Sequence, residues 1–593
     1  MSSINSMSSM SITKIMQIKV YLLVAGLLFT GCSEKPADKA MLSGSIVANP
    51  MNLAYRFHYQ DNDPARREAA DPVCEYFKGK YYLFASKSGG YWSSPDLAEW
   101  TYIPCKSMEI MDNYAPTILI LDDEMYYMAS WDAKKIYRNA NPDKDEWQLI
   151  DSKFEFTGPG TQDPAWFRDD DGSVYFYCGC SNTNPVWGVQ VDPADGFKVI
   201  SETKLLIPHS AKDYGWENPG NNNEQDKEGW NEGPCMIKYK GKYYLQYAAP
   251  GTEFRTYADG VYVSDNPLGT FTYMDNSPFS FKPGGFVAGA GHGHTFLDKY
   301  GNYWHVASMK IAKRHWFERR LGLFPLGIAK DGKIRQQSVW SDYPFVAPDH
   351  QTDFETTDFS AGWNLLSYRK PATASSTLDG YGVELAFNEE IETWWSAETG
   401  NAGEWLTVDL IKTMDVRAIQ VNLADQDFVM RAPHPLFSYQ YYIEASSDGN
   451  RWTRIVDKTA NEKDAVHELL VLDKPVETRY LRITNTKDLP GKFSLYGFRV
   501  FGNGKGDLPK EVTGLQITRN EDKRRFALRW DKQDNVTGYI VNVGLKDGAV
   551  NQSVMVFDNQ YEAGFFNRDS EYRFTVTAFN ENGVFNRIGT GAQ

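Results

Sequence analysis

The sequence predicts an all-β protein, and three observations carry that prediction. Long helical periodicity is scarce between residues 51 and 345, where short aromatic-rich runs alternate with Gly, Asp and Pro turns. One turn-plus-strand unit recurs five times, at 79–85, 123–129, 172–177, 241–247 and 301–306, each opening on a Gly or acidic turn and continuing as a Tyr/Phe/Trp strand. Aromatics make up 14% of the chain, with 35 Tyr and 17 Trp, the residue types that pack well on a pleated surface.

Each unit extends to about four strands. Ser93-Ser94-Pro95-Asp96-Leu97 follows the first copy and Ser264-Asp265-Asn266-Pro267-Leu268 the fourth, both reading as strand, turn, strand. Four-stranded units repeated in this way predict a five-bladed β-propeller over residues 51–345. Beyond Pro344 the pattern changes. Residues 353–503 alternate as an antiparallel β-sandwich, and 508–593 form a further short-stranded segment. A chain of 593 residues has room for these domains with ample core.

The net charge of −15 argues against nucleic acid and anionic lipid surfaces as partners. At the N-terminus, Lys14 and Lys19 precede the apolar run 20–29 and then Thr30-Gly31-Cys32. This resembles a bacterial lipoprotein signal over residues 1–32, with Cys32 the lipidated residue and 33–50 a flexible tether. The expected location is the cell envelope, on the periplasmic or outer face, with the lipid as the sole membrane contact and the protein a monomer. Five cysteines remain, and Cys178-Gly179-Cys180 lacks zinc-type spacing, so free thiols are expected.

Three carboxylates stand at unit openings: Asp71 in Ala-Asp-Pro, Asp163 in Gln-Asp-Pro and Glu232 in Asn-Glu-Gly-Pro. A lone Asp-Pro is usually just a turn; three acids placed alike in a radial repeat converge on its axis. These motifs, with Tyr114-Ala115-Pro116 and Gly291-His292 opening units two and five, resemble glycoside hydrolase family 43. The resemblance implies a five-bladed propeller and hydrolysis with inversion, with Asp71 as general base, Glu232 as general acid, and Asp163 as the group that positions substrate and raises the acid's pKa. Inversion needs the acid and base about 6.5–9.5 Å apart, to admit a water. His292, or His294 in its place, is expected to hold a water or metal at the axis. Arg319 or Arg320 falls where the family supplies a site arginine. Trp166, Trp216 and Trp230 are candidate sugar platforms, and the Gly/Asn-rich insert 209–230 is expected to wall the pocket and favour exo-action.

Ala372–Ser376, Trp394-Trp395 and Glu404–Leu410 resemble a discoidin (coagulation factor 5/8 type C) fold of the kind found in family 32 carbohydrate-binding modules. Arg431, His434 and Phe437 are its candidate sugar contacts. Asn388-Glu389 stands where that family has Asp-Gly, which weakens the case for its structural calcium. Apart from a calcium there or at the propeller axis, no cofactor is expected. Residues 508–593 resemble a fibronectin type III domain. The expected activity is release of terminal pentose-type sugars, α-L-arabinofuranose first, from plant-type oligo- or polysaccharides. A β-xylosidase or a galactose- or galactofuranose-releasing enzyme is the alternative, and a non-catalytic glycan-binding lipoprotein is the rival of a different class.

Overall fold

The computed structural model describes residues 42–58, 66–311, 313–430 and 436–585. Cys32, the signal and most of the expected tether lie outside them, as do Arg431 and His434. Among the described residues the only helical elements are three short 3-10 turns, and no helix is long and apolar enough to cross a membrane.

Five antiparallel sheets follow in chain order, and the strands that carry their blade openings are Ala70–Phe77, Thr117–Leu121, Ala165–Arg168, Asn231–Tyr239 and Ala288–Leu297. Each touches the next, and the fifth touches the first, so the strands close a ring: the five-bladed propeller. Local chemistry explains the opening hairpins. Residues 78–79, 122–123 and 240–241 all adopt positive φ, as a two-residue turn matching strand twist requires, and Phe77↔Lys80, Leu121↔Glu124 and Tyr239↔Lys242 flank them in register. The third and fifth blades use longer turns closed by Asp169 N–H to Ser173 O and Asp298 N–H to Asn302 O.

The ring is tied at its seam. Gly44–Val47 pairs antiparallel with Phe345–Pro348, so part of the expected tether is a strand. Ile46 and Val47 supply the β-branched side chains that a flexible linker lacks.

Residues 364–503 build one eight-stranded antiparallel sheet around two 19-residue strands, Trp405–Leu423 and His467–Asn485, which bend at register shifts near Asp409 and Val416. Its buried face shares a hydrophobic core with blades one and five. Residues 516–584 form a three-stranded and a four-stranded sheet. Their core is continuous with that of blade four through Trp216, Phe281, Phe565 and Phe566.

Two sequence expectations are corrected here. The insert 209–230 does not wall the pocket along its length. It is clamped under the last domain: the Gly215 N–H reaches Phe566 O at 3.0 Å, and the buried Glu217 accepts from Tyr247 Oη at 2.6 Å and the Ser210 N–H at 2.7 Å. Trp216 is accordingly core, fully buried with its indole N–H on Tyr273 Oη. Trp166 is also core, 7% exposed among Phe154, Phe176 and Phe197, because its strand turns that side chain between blades.

Candidate active site

The five blade openings share one backbone device. Asp71, Ala115, Asp163, Gly233 and His292 all have φ between 43° and 58°, in the left-handed region. In blades one, four and five the register slips at this point, so a bulge re-aims side chains toward the axis. Gly233 is required twice over, by its φ of 58° and because a Cβ there would lie 2.5 Å from the His292 ring.

Serines latch neighbouring blades across the ring. Ser308 Oγ accepts the Asp71 N–H at 2.8 Å, Ser86 Oγ the Ala115 N–H at 2.7 Å, and Ser130 Oγ the Asp163 N–H at 2.9 Å. Sequence reading missed these residues, although each closes a repeated Ala-Ser pair: 85–86, 129–130 and 307–308.

Asp71, Asp163 and Glu232 line one cavity of about 630 Å3 together with His292 and Arg319. Asp71 accepts from Ser86 Oγ at 2.6 Å and from Arg319 at 3.2 Å, with His292 Nδ1 3.4 Å away. Burial alone would raise its carboxyl; Arg319, His292 and the two serines outweigh it and hold Asp71 below the usual carboxylate range. Asp163 behaves oppositely. Burial first, then the nearby charges of Glu232 and Asp71, push it up to about 7, against the pull of His292. One ligating atom each of Asp163, Glu232 and Cys180 lies within 4.8 Å of the others, so this cluster retains a proton near neutrality. Burial works against protonation of His292, but Asp71 and Asp163 raise it above its ordinary value. Glu232 receives the Tyr257 hydroxyl on Oε1 and the Cys180 thiol on Oε2.

The arginine choice is resolved. Arg319 bridges Asp71 and Glu68, its guanidinium over the Phe317 ring. Arg320, its neighbour on the same strand, points the other way, to His467 Nε2 at 3.0 Å and over Tyr55, and takes no part in the site. His294 likewise leaves the three acids: its Nε2 lies 3.8 Å from Glu75, and burial lowers it to about 3.

Of the expected platforms only Trp230 lines the cavity, 49% exposed. Sequence reading missed Trp131, 65% exposed at the mouth with φ 77°, as well as Tyr114, Trp187 and Phe317. In the sandwich, Phe437 is half-buried against Phe428 and Tyr439 under the Lys487 ammonium.

Calcium takes oxygen donors. At the axis, the His292 imidazole is wedged between two carboxylates, which suits a proton donor. In the sandwich, Glu389 is fully engaged by Arg499 at 2.9 and 2.7 Å. Neither donor set fits the ion.

The site is thus a set of acids converging on the axis of a five-bladed propeller, with exposed indoles at the mouth. Comparison with known families bears on two stretches of the chain. Residues 64–334 match the model of glycosyl hydrolases family 43, and residues 371–497 that of the F5/8 type C domain. Over 160 residues the chain is 31% identical to an arabinoxylan arabinofuranohydrolase of Paenibacillus polymyxa, a stretch covering 24% of this chain and 22% of that one. Over 269 residues it is 23% identical to a β-xylosidase of Xylanibacter ruminicola, covering 35% and 78%. A solved glycoside hydrolase superposes with a TM-score of 0.43 at 19% identity, covering 76% of this chain and 99% of that one.

Proposed function

We propose that the protein is an inverting exo-glycosidase releasing terminal pentose-type residues, α-L-arabinofuranose first, from plant-type polysaccharide side chains. The observation that carries this reading is the opposed electrostatics of the site: one carboxylate held ionised by Arg319 and His292, and a second cluster that keeps a proton near neutral pH. Asp71 is the general base that takes a proton from water, Glu232 the general acid that protonates the leaving oxygen, and Asp163 the neighbouring carboxyl that positions substrate and modulates the acid. Trp131 and Trp230 offer flat apolar faces to sugar rings at the mouth.

The relative named as an arabinofuranohydrolase favours arabinose; the one named as a β-xylosidase supports xylose as the second reading. The sandwich would hold the enzyme on its glycan. The last domain is of fibronectin type III kind, supported by its three-plus-four strand arrangement and by Tyr572 Oη accepting the Asn567 N–H at 2.8 Å, as a tyrosine corner does. Cys32 would anchor a monomer to the envelope. The test is hydrolysis of aryl α-L-arabinofuranoside, β-D-xyloside and β-D-galactofuranoside by the chain from residue 33. Turnover of the arabinofuranoside above the others supports the reading, and glycan binding with no turnover of any glycoside or polysaccharide would favour the binding-protein rival.

A further inference from the structure

The Cys178-Gly179-Cys180 motif is split between two blades. Cys178 ends a strand of blade three, its thiol on Gly160 O at 3.3 Å. Gly179, at φ 145°, turns the chain so tightly that a Cβ would lie 1.5 Å from Pro185 O. Cys180 then enters the sheet of blade four directly opposite Glu232 in register. Its Sγ lies 3.1 Å from Glu232 Oε2, while the buried Tyr257 hydroxyl donates to Oε1. Each carboxyl oxygen thus has one donor, and the two differ in strength, a phenol against a thiol.

We propose that Tyr257 and Cys180 form an unequal clamp on Glu232: Tyr257 fixes Oε1 as an acceptor, the transferable proton is carried on Oε2, and the weak thiol donor keeps that proton available. The proposal rests on the reading of Glu232 as general acid. In the step, the Oε2–H bond breaks as an H–O bond forms to the leaving oxygen. The electron pair of the glycosidic C–O bond passes to that oxygen, and water, losing its proton to Asp71, bonds to the anomeric carbon. Glu232 is left as a carboxylate accepting from both donors. A hydroxyl at position 180 would grip the carboxylate harder and release the proton too early; a methyl would leave Oε2 unsupported after transfer. The charged and titratable groups around Glu232 are Asp163, Asp71, His292 and Glu253, with Arg319 held on Asp71, and a substitution at 180 leaves them in place. Cys180 and Tyr257 are positioning residues.

The test is a carbon-13 NMR titration of protein labelled at the glutamate side-chain carboxyls, with the Glu232 resonance assigned by its loss in Glu232→Gln. Relative to the parent, Cys180→Ala moves the Glu232 midpoint up and Cys180→Ser moves it down, each by about half a unit to one unit. On any aryl glycoside the parent hydrolyses, the alkaline limb of kcat/KM moves by the same amounts. Coincident midpoints in parent, Cys180→Ser and Cys180→Ala overturn the clamp whether or not the protein turns over. The reading beneath it fails separately: a Glu232→Gln protein with the parental rate removes Glu232 as the acid and leaves the titration result standing.

Discussion

Asp71 and Asp163 sit at equivalent blade openings with φ of 50° and 51°, yet their environments drive them apart. Arg319 and His292 keep Asp71 ionised below the ordinary carboxylate range, and burial beside Glu232 takes Asp163 up to about 7. The predicted pH profile follows. The base stays active as pH falls through the usual carboxylate range, and the site loses the proton that Asp163 holds as pH rises through about 7. Arg319→Leu removes the charge beside Asp71, so the acid limb of kcat/KM moves upward, by about one unit or more. The three acids were legible in the sequence because a turn residue follows each. The tryptophans were not: an indole reads the same in a core as at a rim, and only the placed strands separate Trp166 from Trp131 and Trp230. Trp166→Ala therefore costs about 3–5 kcal/mol of stability and lowers Tm. Trp230→Ala leaves Tm nearly unchanged and raises KM. Calorimetry and steady-state kinetics on the pair check both.

At the scale of the blade, the sequence repeat announced five hairpins, and the turns confirm why: Lys-Gly and Asp-Asp pairs accept the positive φ that the hairpin needs. The latching of one blade to the next was less visible, since it depends on Ser Oγ atoms reaching a neighbouring sheet. The Ala-Ser repeat was its trace. Ser308→Ala strands the buried Asp71 N–H and removes a donor from its carboxyl, so Tm falls by the equivalent of about 1–3 kcal/mol and kcat falls with it. An unchanged Tm would show that the latch is dispensable. The insert was misread for a similar reason. Its polar, Gly-rich composition is that of a free loop, but Glu217 is buried and bonded to Tyr247 and Ser210, and the Gly215 N–H finds its acceptor more than 300 residues further on, at Phe566 O.

Across the molecule, the three sheet systems do not hang as separate beads. Arg67 of the propeller is buried between Asp425 and Asp464 of the sandwich, at 2.8 and 2.7 Å, and the Arg314 guanidinium lies over Trp394. Removing one partner of such a buried set leaves charge uncompensated, so Arg67→Met costs about 3–5 kcal/mol. The Arg67 pairings join residues more than 350 positions apart, and no local pattern in the sequence encodes them. The boundaries of fold class were readable from periodicity; the docking of one domain on another was not.

The chemistry is tested most directly by proton NMR of the sugar released from 4-nitrophenyl α-L-arabinofuranoside, recorded before mutarotation, with Glu232→Gln run alongside. The expected result is β-L-arabinose as first product and a rate lowered by about two to four orders of magnitude in the variant. Release of the α-anomer first, or a Glu232→Gln protein as active as the parent, would contradict an inverting site with Glu232 as its acid.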